Sequence, residues 1–514
     1  MFFSILFPTQ EQHEAQRRTE PPECFKDLNL NQIFAPIFKV KKEFELESLF
    51  YTPLHNPEII AYRQKVMQEL EDDKLRALLS GFSQSIYTIG RSMNTIRTSL
   101  RSEDKWRNNY LTCGKMLDYT DRYCRTISAF MEKLSKLRLH SEGLCRFREY
   151  LSSYCLSEAY AALYGHVQRL RSELSTVEYC MLISNGTIRV RKYEGQSDQS
   201  SRILASFEKF RQGDVKDYRQ KLSEEPYADH VEIAVVDMVA DLYQDVFADL
   251  KSFCSRYFQF DNETIFRFSQ EIQFYLSWLD LIAPLRQANL PFCYPKLCDT
   301  AEHLYAFDGF DLALAMMKKG KIEVNDFTLN APERVIVVTG PNQGGKTTFA
   351  RAFGQTHYLF SLGLCVPGRK AALYLCDNIL THFGREEDLS TFNGKLQDDL
   401  ERLRALLGQA TDQSVIIINE IFASTTLSDA LLLGGYMMDM LAALGAPTVF
   451  VTFLDELALH GPETVSMMST IRDDDPTSRT FKIVRKPPDG LAYANHIARK
   501  HRLTYEQLGG RLKR

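Results

Sequence analysis

Residues Gly340, Pro341, Asn342, Gln343, Gly344, Gly345, Lys346 and Thr347, followed by Thr348, set a glycine-rich turn directly ahead of a lysine and two hydroxyls. That order is suited to holding phosphate. Glycines let backbone N–H groups turn inward around an anion, and a helix beginning at the lysine adds its partial positive charge. Lys346 then has the reach to meet β- and γ-phosphates, and the Thr347 hydroxyl can hold Mg²⁺. Such a loop, a Walker A pattern, works only between a strand and a helix. The flanks supply both: Val335–Val338 is continuously apolar, as a buried parallel strand is, and Thr348–Phe353 has helical character.

Binding alone does not hydrolyse a phosphoanhydride; a base and a metal-holding group on a neighbouring strand are also needed. Val415–Ile418 is a second apolar run, and it ends in Asn419 and Glu420. Glu420 is the candidate to orient or deprotonate an attacking water. Asn419 stands where an aspartate usually holds the shell of Mg²⁺, and it keeps a carbonyl acceptor without the charge. The candidate metal set is thus Thr347, Asn419 and Glu420.

The elements that must carry these groups divide the chain. At 514 residues it is too long for one ordinary core. We read residues 1–23 as an N-terminal segment, 24–300 as mostly helical and 301–514 as an α/β domain, an α + α/β class overall. Phe82, Ile86, Ile89, Met93, Ile96 and Leu100 follow the spacing of a packed helical seam, and Val235, Val239, Leu242, Val246, Leu250 and Phe253 nearly do. Tyr179–Ser184, Asn185-Gly186 and Thr187–Tyr193 predict a hairpin with a two-residue turn inside the helical region. Its second strand carries Arg189, Arg191 and Lys192, which read either as a solvated face or as a phosphate-contacting tip. Pro291–Pro295 is a candidate linker, and Phe481–Val484 and the turn at Asp489-Gly490 suggest later strand structure.

Composition sets limits. Hydrophobic content of 44%, charged content of 25% and a net charge of −4 describe a globular chain whose nucleic-acid contacts must come from local basic patches. The eleven cysteines lack metal-site spacing; Cys293 and Cys298 have no second pair, so free thiols in a reducing cytoplasm are expected. Met1–Phe7 is apolar but cut off by Pro8, and reads as a packing segment, not a signal peptide. No run is expected to reach the apolar length that spans a bilayer.

Thr339 to Thr348 resembles the TGPNxGGK[ST] loop of the MutS family of DNA mismatch-repair ATPases. The likeness continues through Leu364–Pro367, Glu387–Phe392, Asn419–Thr426 with Asp429, and Phe481 to Tyr493. More weakly it includes Lys26–Leu30, Thr52–Leu54, Arg63 and Gln64. The resemblance implies an ABC-like ATPase domain at 301–514, preceded by helical core, lever and clamp regions with the hairpin near the clamp. It implies ATP and Mg²⁺ as cofactors, DNA (double-stranded or branched) as partner, and a homodimer sharing its ATP sites. Ser424 and Thr425 would reach the γ-phosphate of the partner's nucleotide, and Asn325 would lie near the adenine. No membrane partner is implied.

Departures shape the expectation. Fewer than about thirty residues precede the core, too few for the family's mismatch-reading domain, and its connector is also expected to be missing. Phe130-Met-Glu132 and Phe147-Arg-Glu149 fit the mismatch wedge pattern only by chance, inside helical stretches. Phe453 replaces the histidine expected after the Val449–Val451 strand, and a nuclease domain is expected to be missing. The expected function is an ATP-dependent DNA clamp in repair or recombination that recognises DNA structure without reading mismatches. The alternative is a nucleotide-gated dimeric interaction module with little turnover. A transporter-coupled ATPase ranks low, because no Leu-Ser-Gly-Gly-Gln stretch precedes Val415.

Overall fold

Strand Val335–Thr339 is buried along its whole length because sheet lies on both sides of it and helices cover both faces. The computed structural model describes residues 2–102, 110–196, 230–384, 395–422, 424–471 and 479–488. The chain forms two compact units, each assembled from separated stretches. One comprises residues 1–76, 139–145 and 271–514, the other 77–138 and 146–270.

In the first unit, a six-stranded sheet runs in the order Ile379–Phe383, Val415–Asn419, Thr448–Val451, Val335–Thr339, Thr464–Ile471, Arg479–Arg485. The first five strands are parallel and the last is antiparallel. Alternation along Val415–Asn419 shows how the faces are used. Ile416 and Ile418 pack with Met437, Met438 and Leu441 of helix Leu427–Leu444, whereas Ile417 turns to Gly354 of helix Lys346–Ser361. A second sheet, ordered Lys296–Leu297, Lys370–Leu373, His303–Gly309, Asn325–Asn330, brings Asn325 toward the last strand of the first. Phe292–Cys293, inside the proline-bracketed stretch, pairs with Val366–Pro367 and is held in this unit.

Sequence-distant residues clasp helix Lys346–Ser361. Gln355 donates to Leu28 O and Asp311 Oδ1, both at 2.9 Å, and accepts from Leu312 N at 2.8 Å. Tyr358 donates to Phe50 O and Arg351 to Asp27 O. Just past the helix, Arg63 donates to Leu362 O and to Leu6 O. The N-terminal segment packs as expected: Phe3, Ile5, Leu6 and Phe7 are buried, and Glu271 accepts from Ser4 Oγ and Ile5 N.

The second unit is helical. The predicted seam is buried from Phe82 through Ile96, on helix Asp73–Ser102. The other stripe is split at Tyr243 into helices His230–Leu242 and Gln244–Arg256, so burial passes from Val246 to Phe247. Phe130 and Phe147 are core residues: Phe82 stacks on Phe130 at 3.8 Å, and Phe147 on Phe268 at 3.5 Å. The predicted hairpin is present, Tyr179–Ser184 against Thr187–Lys192, and Asn185 (φ 49°) and Gly186 (φ 74°) are both left-handed, as a type I′ turn requires.

One expectation is corrected. Helix Leu427–Leu444 has a mean hydropathy of 1.3 over 18 residues, enough by length and composition to cross a membrane. One face packs on the core, where Ala430, Gly434, Met437, Met438 and Leu441 are buried, while Leu427, Leu432, Tyr436 and Met440 are exposed. Glu387–Phe392, Asp489-Gly490 and Tyr493 lie outside the described residues.

Candidate nucleotide-binding site

In a parallel sheet with helices on both faces, the C-terminal strand edge is where loops collect and ligands bind. Register puts the predicted groups there. Asn419 is level with Val451, Val451 with Val338, and Thr339 with Met468. The glycine loop leaves this edge after Thr339 and runs into helix Lys346–Ser361.

The loop's shape explains its residues. Gly340 (φ 107°) and Gly345 (φ 93°) have backbone conformations that side chains resist, and Gln343 (φ 60°) is left-handed despite its side chain. Gly344 is required for space: a Cβ there would lie 2.1 Å from Ser469 Oγ and 2.9 Å from Pro341 O. Ser469, on the adjacent strand, donates to Gly344 O at 2.7 Å and fixes the loop to the sheet.

Lys346 is buried, and its ammonium donates to Gly340 O at 3.0 Å, Pro341 O at 3.3 Å and Asn342 Oδ1 at 3.4 Å. Burial lowers its pKa below the usual lysine value; the Glu420 carboxylate opposes this and Arg479 adds to it. Carbonyls thus hold the lysine at the mouth of its own loop, where an arriving anion would compete for it. Thr347 and Thr348, in the first helical turn, are half-buried.

The neighbouring strand end is equally constrained. Glu420 is exposed, adopts φ 53° and donates its N–H to Val451 O at 2.9 Å; Phe422 is also left-handed at φ 62°. Left-handed conformations at two bulky residues within three positions are costly, and such strain is concentrated at functional turns. Asn419 is buried and its Oδ1 has no hydrogen-bond partner among the described residues; the same is true of Thr339 Oγ1 at its own strand end. Orphaned buried polar atoms are rare enough to need a cause; the Asn419 oxygen can accept from a water of a hydrated cation, and the Thr339 hydroxyl can donate to a phosphate oxygen. Of the candidate metal-holding residues, Thr347 is half-buried, Asn419 buried and Glu420 exposed, and the first two are neutral.

The remaining predicted residues are more dispersed. Asn325 donates to Phe481 O at 3.2 Å and accepts from Ile483 N at 2.7 Å, so both ends of its amide hold the last strand. Thr425 and Thr426 both donate to Asp429, which with Thr426 caps helix Leu427–Leu444. Ser424 is exposed. Phe453 is 48% exposed just beyond strand Thr448–Val451.

Of three neighbours of the loop, Ser469 and Arg479 were not singled out by sequence, and Phe481 was read only as part of a later strand. Ser469 lies in an unremarkable strand and gives no motif. Arg479 is felt electrostatically at Lys346. Phe481 is 51% exposed and left-handed (φ 60°), with its backbone beside Gly345. An exposed aromatic in a strained conformation was the only available signal, and it is visible only in three dimensions.

The fold defines a mixed helix-and-sheet unit with a glycine-rich loop at the C-terminal edge of a largely parallel sheet. Residues 336–497 match the family described as MutS domain V. The chain is 22% identical over 297 residues to the DNA mismatch repair protein MutS of Thermotoga sp. (strain RQ2), which covers 57% of this chain and 35% of that protein. It is 31% identical over 204 residues to the Endonuclease MutS2 of Thermus thermophilus, covering 37% and 27%. It is also 31% identical over 145 residues to the MutS of Exiguobacterium sp., covering 28% and 17%. These matches support a divergent relationship to the MutS family. The matched stretch spans about a third of the length of the first of these relatives.

Proposed function

We propose that the chain is an ATP-dependent DNA-binding protein of the MutS type, acting in repair or recombination. The observation that carries this reading is the Lys346 cradle at the sheet edge, beside Glu420, within the stretch that matches MutS domain V. In this reading residues 301–514 form the P-loop ATPase and dimerisation domain, and 24–300 the helical core and clamp. Loop N–H groups from Gly340 to Thr348 and the helix N-terminus hold the phosphates. Lys346 exchanges its carbonyl partners for phosphate oxygens, and Glu420 orients water for attack on the γ-phosphate. Thr347 and Asn419 would hold Mg²⁺, which supplies neutralisation of developing phosphate charge when bound. Asn325, by fixing the strand that carries Phe481, shapes the wall beside the base.

Two copies would share their sites, with Ser424 and Thr425 of one approaching the nucleotide of the other. The hairpin provides a DNA-facing tip. Cross-strand pairing puts Arg189 and Arg191 on one face with Leu182 and Cys180, and both arginines are exposed. Cationic side chains on a projecting hairpin suit phosphate backbones. Fluorescence anisotropy on homoduplex, mismatched and branched DNA tests this. Salt-sensitive binding that changes with ATP is expected; no binding to any of them would refute it.

The second reading is a nucleotide-gated interaction module with little turnover, favoured by neutral Asn419 and by the apolar Phe453 beyond the neighbouring strand. Steady-state phosphate release decides between them. Turnover abolished by Glu420→Gln with nucleotide binding retained supports the ATPase, and absence of turnover supports the module.

A further inference from the structure

The site's charge departs from that of a metal–nucleotide cradle. In P-loop enzymes Mg²⁺ is held by the loop hydroxyl and by an aspartate at the end of a neighbouring strand. Hard divalent cations select carboxylate oxygen because it carries charge. Here that strand ends in Asn419, whose amide Oδ1 is buried without a partner among the described residues. It can accept a hydrogen bond from a water or from a protonated oxygen, but it contributes no charge. The Thr347 hydroxyl is neutral as well. Among the described residues, no group of three or more His, Cys, Asp or Glu side chains could hold a metal ion. Glu420 is the next residue along, but it is exposed while Asn419 is buried.

Lys346 sits in the loop mouth, and among the described residues the Glu420 carboxylate and Arg479 act on it. A lysine without a metal-holding carboxylate at the neighbouring strand end favours the more anionic form of a triphosphate, the one without bound metal. The remaining anion-holding groups need no metal: backbone N–H groups, the helix N-terminus and a lysine.

We propose that this site takes its nucleoside triphosphate with little dependence on Mg²⁺, using Lys346 and the loop N–H groups in place of the metal and Asn419 as a neutral acceptor. The inference rests on the reading of the loop as a nucleotide site. It separates occupancy from hydrolysis, because binding would proceed without the ion that hydrolysis requires.

Isothermal titration of the full chain with ATP, in excess MgCl₂ and in EDTA, tests it directly. The two dissociation constants are expected to agree within about threefold. Asn419→Asp, which restores the charge, is expected to weaken binding in EDTA relative to Mg²⁺ by about tenfold or more. Asn419→Ala is a second variant that leaves the Mg²⁺-to-EDTA ratio near one whatever it does to affinity, so the comparison survives if the aspartate variant fails to fold. Wild-type binding that falls more than about tenfold in EDTA overturns the inference and leaves the nucleotide site intact. A folded Asn419→Asp variant with no greater metal dependence than wild type also overturns it. Absence of binding in both conditions overturns the nucleotide reading itself.

Discussion

Replacing Gly344 with alanine isolates the cradle's packing from its chemistry. The added Cβ would lie 2.1 Å from Ser469 Oγ, 2.9 Å from Pro341 O and 3.0 Å from Ser469 Cβ. Gly344 has no left-handed φ, so the cost is steric. The Ser469 hydroxyl can rotate away, at the loss of its 2.7 Å bond to Gly344 O, worth about 1 kcal/mol. Pro341 O is backbone and cannot rotate, so loop or strand must shift, for about 1–3 kcal/mol. Alanine recovers roughly 0.5–1 kcal/mol by restricting the unfolded chain. The net expectation is destabilisation by about 2 kcal/mol, with nucleotide affinity reduced because the loop N–H groups move. Urea unfolding followed by circular dichroism, alongside nucleotide titration, reads both. Ser469→Ala alone should cost only the hydrogen bond, and Ser469→Gly should relieve part of the Gly344→Ala effect. If Gly344→Ala matched wild type in stability and affinity, the account of the loop would be wrong.

Further outcomes follow from the helix behind the loop. Gln355→Leu strands Leu28 O, Leu312 N and Asp311 at once, and should destabilise by about 3 kcal/mol in the same urea assay. His357 is fully buried on that helix, with Nδ1 2.9 Å from Phe353 O, and burial pushes its pKa down from 6.5 to about 4. A depressed folded pKa means stability present above 6.5 and lost as pH falls toward about 4. The loss between pH 7 and pH 5 should be about 2 kcal/mol, and His357→Leu should flatten that limb of stability against pH; an unchanged limb would count against a neutral buried histidine.

The sequence made the local elements legible and their assembly less so. Strand, loop and helix were readable at Val335–Ser361 because local rules govern each: an apolar run, glycines in strained turns, a helix from the lysine onward. The hairpin at Asn185-Gly186 was readable for the same reason, since both turn residues tolerate positive φ. What escaped were contacts between distant stretches. Nothing near Leu28, Asp311 or Phe50 signals that each binds the helix after the loop, since those bonds join two backbone carbonyls and one carboxylate to an amide and a phenol side chain. Ser469 and Phe481 matter through where the sheet places them. Helix Leu427–Leu444 shows the opposite limit: its composition passes for a membrane span, and only packing reveals that one face belongs to a core.

The central claim is that the loop at Gly340–Thr348 holds the phosphates of a nucleotide through Lys346. Titrating a fluorescent ATP analogue into wild type and Lys346→Ala tests it most directly. The account predicts saturable binding to wild type and a loss of at least about a hundredfold, near 2.7 kcal/mol, in the variant. Equal binding by the two proteins, with the variant folded, would contradict it.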